Sequence, residues 1–79
     1  MLFEKVRELI ANNLKLDPST ILLSTEMIAD LSVNSLDLVE LVCAFEMEFG
    51  VEVPERDIRK FRKVGDIVEY LEKKLINRA

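Results

Sequence analysis

The chain contains no histidine and no tryptophan, one cysteine, one tyrosine, two glycines and two prolines in its 79 residues. Each shortage removes a class of structure or function. Without histidine no Ser-His-Asp arrangement can be built. A lone Cys43 cannot form an internal disulfide, and with no histidine beside it no metal site is expected, which fits a reducing compartment. So few glycines and prolines leave little material for hairpins or linkers and favour helices. Met1 to Lys5 lacks the basic start and apolar stretch of a signal peptide, and the most apolar segment, interrupted by Glu40 and Glu46, is too short for a membrane span. A cytoplasmic protein is expected. From Leu16 to Glu55 there are nine Asp or Glu residues and no Lys or Arg, although the net charge is only -4. That acidic stretch argues against nucleic acid, whose phosphates need Lys and Arg, and for partners with basic surfaces.

What is present reads as one small domain spanning residues 1–79. A hydrophobic share of 49% against 33% charged is a globular balance, and the expected state is a monomer. A chain of this size buries roughly 60% of its unfolded surface and gains only about 3–5 kcal/mol of net stability from its core.

Leu2, Phe3, Val6, Leu9, Ile10 and Leu14 recur at helical steps, which predicts a first helix over 2–14. Asp17-Pro18-Ser19-Thr20 is a turn or one short helical turn. Residues 21–33 have no sustained period and read as a long ordered loop pinned by Ile21, Leu22, Leu23, Met27, Ile28 and Leu31. Asn34, with Asp37 three residues on, is close to a capping box, and Gly50 supplies a stop, so a second helix is expected over 35–49. Pro54 opens a short helix over 55–60 with Ile58 and Phe61 facing inward. A last helix starts near Val64, with Lys73, Lys74 and Arg78 suiting the negative end of its dipole. The expected fold is all-α: a small four-helix bundle of three longer helices and one short third helix.

Helix two carries more apolar residues than one core face needs. At about 100 degrees per residue, Leu38, Val42, Phe45 and Phe49 make a sufficient inner face. Leu36, Cys43 and Met47 fall on the other side among Asp37, Glu40 and Ala44. That mixture is the composition of a docking surface, or else the helix is central and buried nearly all round. Ser35 has two readings as well. It is a helix cap, or it is a hydroxyl exposed at a helix start, where free N–H groups and the dipole favour an attached phosphate. If Asn34 does the capping, the hydroxyl is spared. With no His and no nearby lysine as base, Ser35 is better placed to be modified than to attack.

Asp30-Leu31-Ser32-Val33-Asn34-Ser35-Leu36-Asp37-Leu38-Val39-Glu40-Leu41 resembles the signature of the acyl carrier protein family, in which Asp-Leu-Gly, two residues and Ser-Leu-Asp surround the attachment serine. Glu46-Met47-Glu48-Phe49, Val53-Pro54 and the segment from Val64 to Tyr70 extend the resemblance over nearly the whole chain. It implies a phosphopantetheine-bearing carrier, not an enzyme. Ser35 would receive a 4'-phosphopantetheine arm, derived from coenzyme A, from a phosphopantetheinyl transferase, and the arm's thiol would hold acyl groups as thioesters for fatty acid biosynthesis. Asn34, Leu36, Asp37, Glu40, Cys43 and Met47 are the expected partner-binding positions, facing acyl-transfer and chain-elongation enzymes with basic docking patches. The family also shelters acyl chains between its helices.

Asn34 stands where the family usually has Asp, Ser32 where Gly is common, Met47 where an acid is common and Cys43 where Met is frequent. Arg56, Arg59, Lys60, Arg62 and Lys63 form a basic cluster where such carriers are commonly acidic, either a solvated face or a contact for an acidic partner patch. Asn34 and the basic cluster favour, as the nearest alternative, a carrier of a polyketide, aminoacyl or other dedicated pathway; a rival of another class is an unmodified helical adaptor with the same fold. Arg62 and Lys63 also occupy the place where a cap for the last helix is expected, with Asp66 offering only partial compensation.

Overall fold

The computed structural model describes residues 2–76; Arg78, expected in the last helix, lies outside them. Among the described residues the order of elements is α1 (Leu2–Leu14), a single 3-10 turn (Pro18–Thr20), α2 (Ser35–Phe49), α3 (Glu55–Ile58) and α4 (Val64–Ile76). Helix α1 packs against both α2 and α4. Its buried Val6, Ile10 and Ala11 meet Leu41, Val42 and Phe45 of α2 and Val64, Ile67 and Leu71 of α4 in one core.

Helix α1 ends on Lys15, whose φ of 58° is left-handed. The next N–H, of Leu16, returns to the Ala11 carbonyl at 2.9 Å, a bond that closes a helix end of this kind. Asp17 then caps the 3-10 turn by accepting from the Ser19 N–H at 2.9 Å and the Ser19 hydroxyl at 2.8 Å. These two bonds hold the Asp17 carboxyl below its ordinary pKa.

The loop over 21–33 is pinned by fewer apolar residues than expected, because Leu22, Leu23 and Ile28 are exposed. Ile21 and Met27 are fully buried, but the stretch between them is also clipped to the start of α4. The Met27 N–H donates to the Arg62 carbonyl and the Val64 N–H to the Thr25 carbonyl, both at 2.9 Å, around an antiparallel bridge of Glu26 with Lys63. The Gly65 N–H donates to Leu23 at 2.9 Å, and a Cβ at Gly65 would stand 3.1 Å from that same carbonyl oxygen, so glycine fits this close approach.

Three further sequence expectations are corrected. The third helix is one turn over Glu55–Ile58 and does not reach Lys60. Its continuation is prevented because Arg62 and Lys63 are drawn into the bridge with the loop, so the chain leaves through turn bonds from Lys60 N–H to Asp57 and Phe61 N–H to Ile58. On α2, Leu41 joins Val42 and Phe45 as fully buried, whereas Leu38 and Phe49 are only partly covered. Leu38 is half-covered because the bundle opens beside it into a groove. The start of α4 does not want for a cap: Asp66 Oδ2 accepts from the Lys63 N–H at 2.9 Å and the Arg62 N–H at 3.1 Å.

Candidate functional site

The serine of interest is delivered by a tight reversal of the chain. Asp30 Oδ2 accepts from the Glu26 N–H at 2.8 Å, the Val33 N–H reaches back to Met27 at 3.0 Å, and Ser32 takes a left-handed φ of 57°. The left-handed residue is the one that stands where the signature commonly has glycine, which accounts for that preference. Buried Val33 then anchors the strand of chain from which α2 starts.

At that start Asn34 is the cap, with extended backbone (φ -92°, ψ 178°). Its side-chain oxygen accepts from the Asp37 N–H at 2.8 Å, and Asp37 Oδ2 accepts from the Asn34 N–H at 3.3 Å. Both halves of a capping box are therefore made without Ser35. Ser35 is the first helical residue and is exposed. Of the two readings open from sequence, the capping role belongs to Asn34.

The groove beside Ser35 holds about 340 Å³ and lies between α2 and α3. Buried Val33 and Phe61 contribute to its wall, with half-buried Leu38 and Ile58 and exposed Ile28 and Val39. Asn34 and Ser35 border it on the α2 side, Glu55 and Arg59 on the α3 side. Leu38 and Val39 follow Ser35 by three and four residues, the helical spacing that puts them on its face, so this part of the groove was readable. Ile28 and Arg59 come from segments whose placement depends on distant contacts and carry no local signal.

The α3 side is held by long-range polar bonds. Glu46 Oε2 accepts from the Val53 N–H at 2.8 Å, fixing the extended segment before Pro54. The Tyr70 hydroxyl donates to Asp57 Oδ2 at 2.7 Å, and the Tyr70 ring meets Phe61 edge-on at 5.2 Å. Burial, and then the bond to Asp57, push the Tyr70 hydroxyl up to about 12. The Tyr70 bond, with smaller help from the Lys60 and Arg56 charges, lowers the Asp57 carboxyl.

On the outer side of α2, Leu36 is 66% and Met47 87% exposed, and Glu40 and Cys43 are exposed too. The alternative of a helix buried nearly all round does not hold. Asp37 is half-buried and committed to the cap, so it is less available to a partner than Glu40. The basic cluster is exposed but does not act as one patch. Lys60 pairs with Asp57 at 3.6 Å and Arg62 with Glu26 at 3.3 Å, Lys63 sits in the bridge, and only Arg59 of the five borders the groove. No helix among the described residues is long and apolar enough to cross a membrane.

These features fit a phosphopantetheine arm: an exposed hydroxyl relieved of capping, at a helix start, beside a mostly apolar groove. The family described as "Phosphopantetheine attachment site" matches residues 4–71. An acyl carrier protein of Thermotoga maritima is 49% identical over 74 residues, covering 94% of this chain and 91% of that protein. One of Clostridium acetobutylicum is 44% identical over 71 residues, covering 90% and 92%. One of Campylobacter concisus is 42% identical over 71 residues, with the same coverage. The chain belongs to the acyl carrier protein family, whose members bear 4'-phosphopantetheine covalently and hand acyl groups between enzymes.

Proposed function

We propose that Ser35 is the attachment residue and that the protein serves fatty acid synthesis as a monomeric cytoplasmic carrier without catalysis of its own. The observation that carries this reading is the exposed Ser35 at the first position of α2 with its cap already supplied by Asn34. In the modification, Ser35 Oγ forms a bond to the phosphorus that carries the pantetheine of coenzyme A. The pyrophosphate P–O bond breaks, adenosine 3',5'-bisphosphate leaves, and the hydroxyl proton passes to a base on the transferase. Ser35 has no histidine and no neighbouring lysine to take that proton, which is why a separate enzyme is needed. Once in place, the arm's thiol carries acyl groups as thioesters and presents them to each partner at high effective concentration.

The carrier's own contribution is presentation. Leu36, Glu40, Cys43 and Met47 offer an exposed apolar and acidic strip to enzymes with basic docking patches, while Asn34 and Asp37 fix the helix start from which the arm leaves. Incubation with coenzyme A and a broad-specificity phosphopantetheinyl transferase, followed by intact mass measurement, tests the reading. The wild type gains one arm and Ser35→Ala gains none; an unmodified wild type would overturn it.

Exposed Arg56 and Arg59 on the α3 side favour a second reading, a carrier for a dedicated pathway whose enzymes present an acidic patch there. Comparing Arg56→Glu with Glu40→Lys in acyl-loading assays separates the two. A loss confined to Glu40→Lys supports the general carrier, and a matching loss in Arg56→Glu supports the dedicated one.

A further inference from the structure

Arg59 differs from its basic neighbours in position, because of the five it alone borders the groove. Lys60 and Arg62 are ion-paired, and Lys63 is held by the bridge through its backbone. Its backbone N–H closes the α3 turn on the Asp57 carbonyl, but its guanidinium makes no hydrogen bond or ion pair among the described residues, and it borders the groove that Ser35 also borders. An unengaged guanidinium beside a hydroxyl has no role while that hydroxyl stays neutral. Its use appears when the hydroxyl becomes a phosphodiester.

Three features then favour the new charge. Asn34, neutral at the cap, adds no negative charge beside it. The first N–H groups of a helix have no partner within it, and of the first three on α2 the Asn34 side chain takes only that of Asp37. Arg59 supplies a full positive charge with a donor fork suited to phosphate oxygens. Two acids oppose them. Asp37 is turned to the Asn34 N–H, and Glu55 borders the groove on the same side as Arg59.

Resting on the attachment at Ser35, we infer that Arg59 is a positioning residue for the arm: its guanidinium binds the phosphodiester on Ser35 and directs the arm over the groove between α2 and α3. The contact is near the surface, so it weakens as salt rises. Glu55→Gln removes the opposing charge and makes the contact persist to higher salt.

The test uses the full chain with Cys43→Ala, in apo and phosphopantetheine-bearing forms whose loading is first verified by mass. NMR follows the Arg59 Nε–H resonance between the two forms, and the phosphorus resonance of the loaded form during a sodium chloride titration. Arg59→Gln, Arg59→Lys and, as a control away from the groove, Arg56→Gln are compared. The Arg59 Nε–H resonance is expected to move on loading and to return toward its apo position with salt. The phosphorus shift of Arg59→Gln at low salt should match that of the unsubstituted protein at high salt. Arg59→Lys should fall between, and Arg56→Gln should leave the shift unchanged. A loaded protein whose Arg59 Nε–H resonance stays at its apo position overturns the role of Arg59 and leaves the carrier reading standing. Absence of the arm from Ser35 overturns both.

Discussion

The two sides of the groove are built by different means. On the α2 side a fifteen-residue helix has its own cap, Asn34 with Asp37, and its own stop, Gly50 at a left-handed φ of 64°. On the α3 side a four-residue turn is too short to be stable alone and is held from elsewhere, by Glu46 on the Val53 N–H, Tyr70 on Asp57, and the clip between the loop and α4. The side that bears Ser35 is therefore set by neighbours in sequence. The facing side is set by residues far away in sequence, 36 positions apart in the Arg62–Glu26 pair. Local bonding fixes where an arm on Ser35 would start, and long-range bonding fixes the width of the groove it would meet.

Breaking the long-range side should have the largest effect on stability. Tyr70→Phe keeps the ring against Phe61 but leaves the Asp57 carboxylate without its hydroxyl donor, and should cost about 2 kcal/mol. Hydrogen exchange should show lost protection around residues 55–61 while the middle of α2 keeps its own. The same substitution has a pH signature. Because folding raises the Tyr70 pKa from 10.0 to about 12, its stabilising contribution is complete below pH 10 and is lost as pH rises toward 12. Chemical denaturation of the wild type should show that decline, and Tyr70→Phe should lack this part of it. The lowered Asp57 carboxyl acts at the other end of the scale, with stability that is present above its ordinary value of 3.8 and falls as pH drops toward the depressed folded value.

The local side should respond less and only near its break. Asn34→Ala removes the acceptor for the Asp37 N–H and should cost about 1 kcal/mol, with exchange protection lost in the first turn of α2 and retained around α3. The smallest effect is a gain. Ser32 holds a left-handed φ of 57° that glycine adopts without strain, so Ser32→Gly should stabilise by about 0.5 kcal/mol after the greater freedom of the unfolded chain is counted. A higher denaturation midpoint with an unchanged slope would register it.

What could be read from the sequence divides along the same line. The bounds of α1 and α2, the capping role of Asn34 and the exposure of Leu36, Cys43 and Met47 follow from spacing and cap chemistry within a few residues. Helix α3 stops short of Lys60 because the pull on Arg62 and Val64 comes from Met27 and Thr25, which no local pattern announces. The full capping by Asp66 is hidden from the sequence for a related reason: a carboxylate three residues into a helix can serve two N–H groups only if the preceding chain curls over it. For Leu38, periodicity identifies the inner face without revealing that the bundle opens there. The groove needs both sides in place, so its α2 half was legible and its α3 half was not.

The attachment proposed at Ser35 excludes every other hydroxyl of the chain. Ser19, Ser24 and Ser32 are also exposed, and Ser32 lies only three residues away. No Lys or Arg occurs between Leu16 and Glu55, so trypsin leaves all four serines in one peptide and backbone fragmentation of that peptide must locate the added mass. Every fragment containing Ser35 should carry the phosphopantetheine, and fragments ending at Asn34 should not. Added mass on a fragment that ends before Ser35 would contradict it.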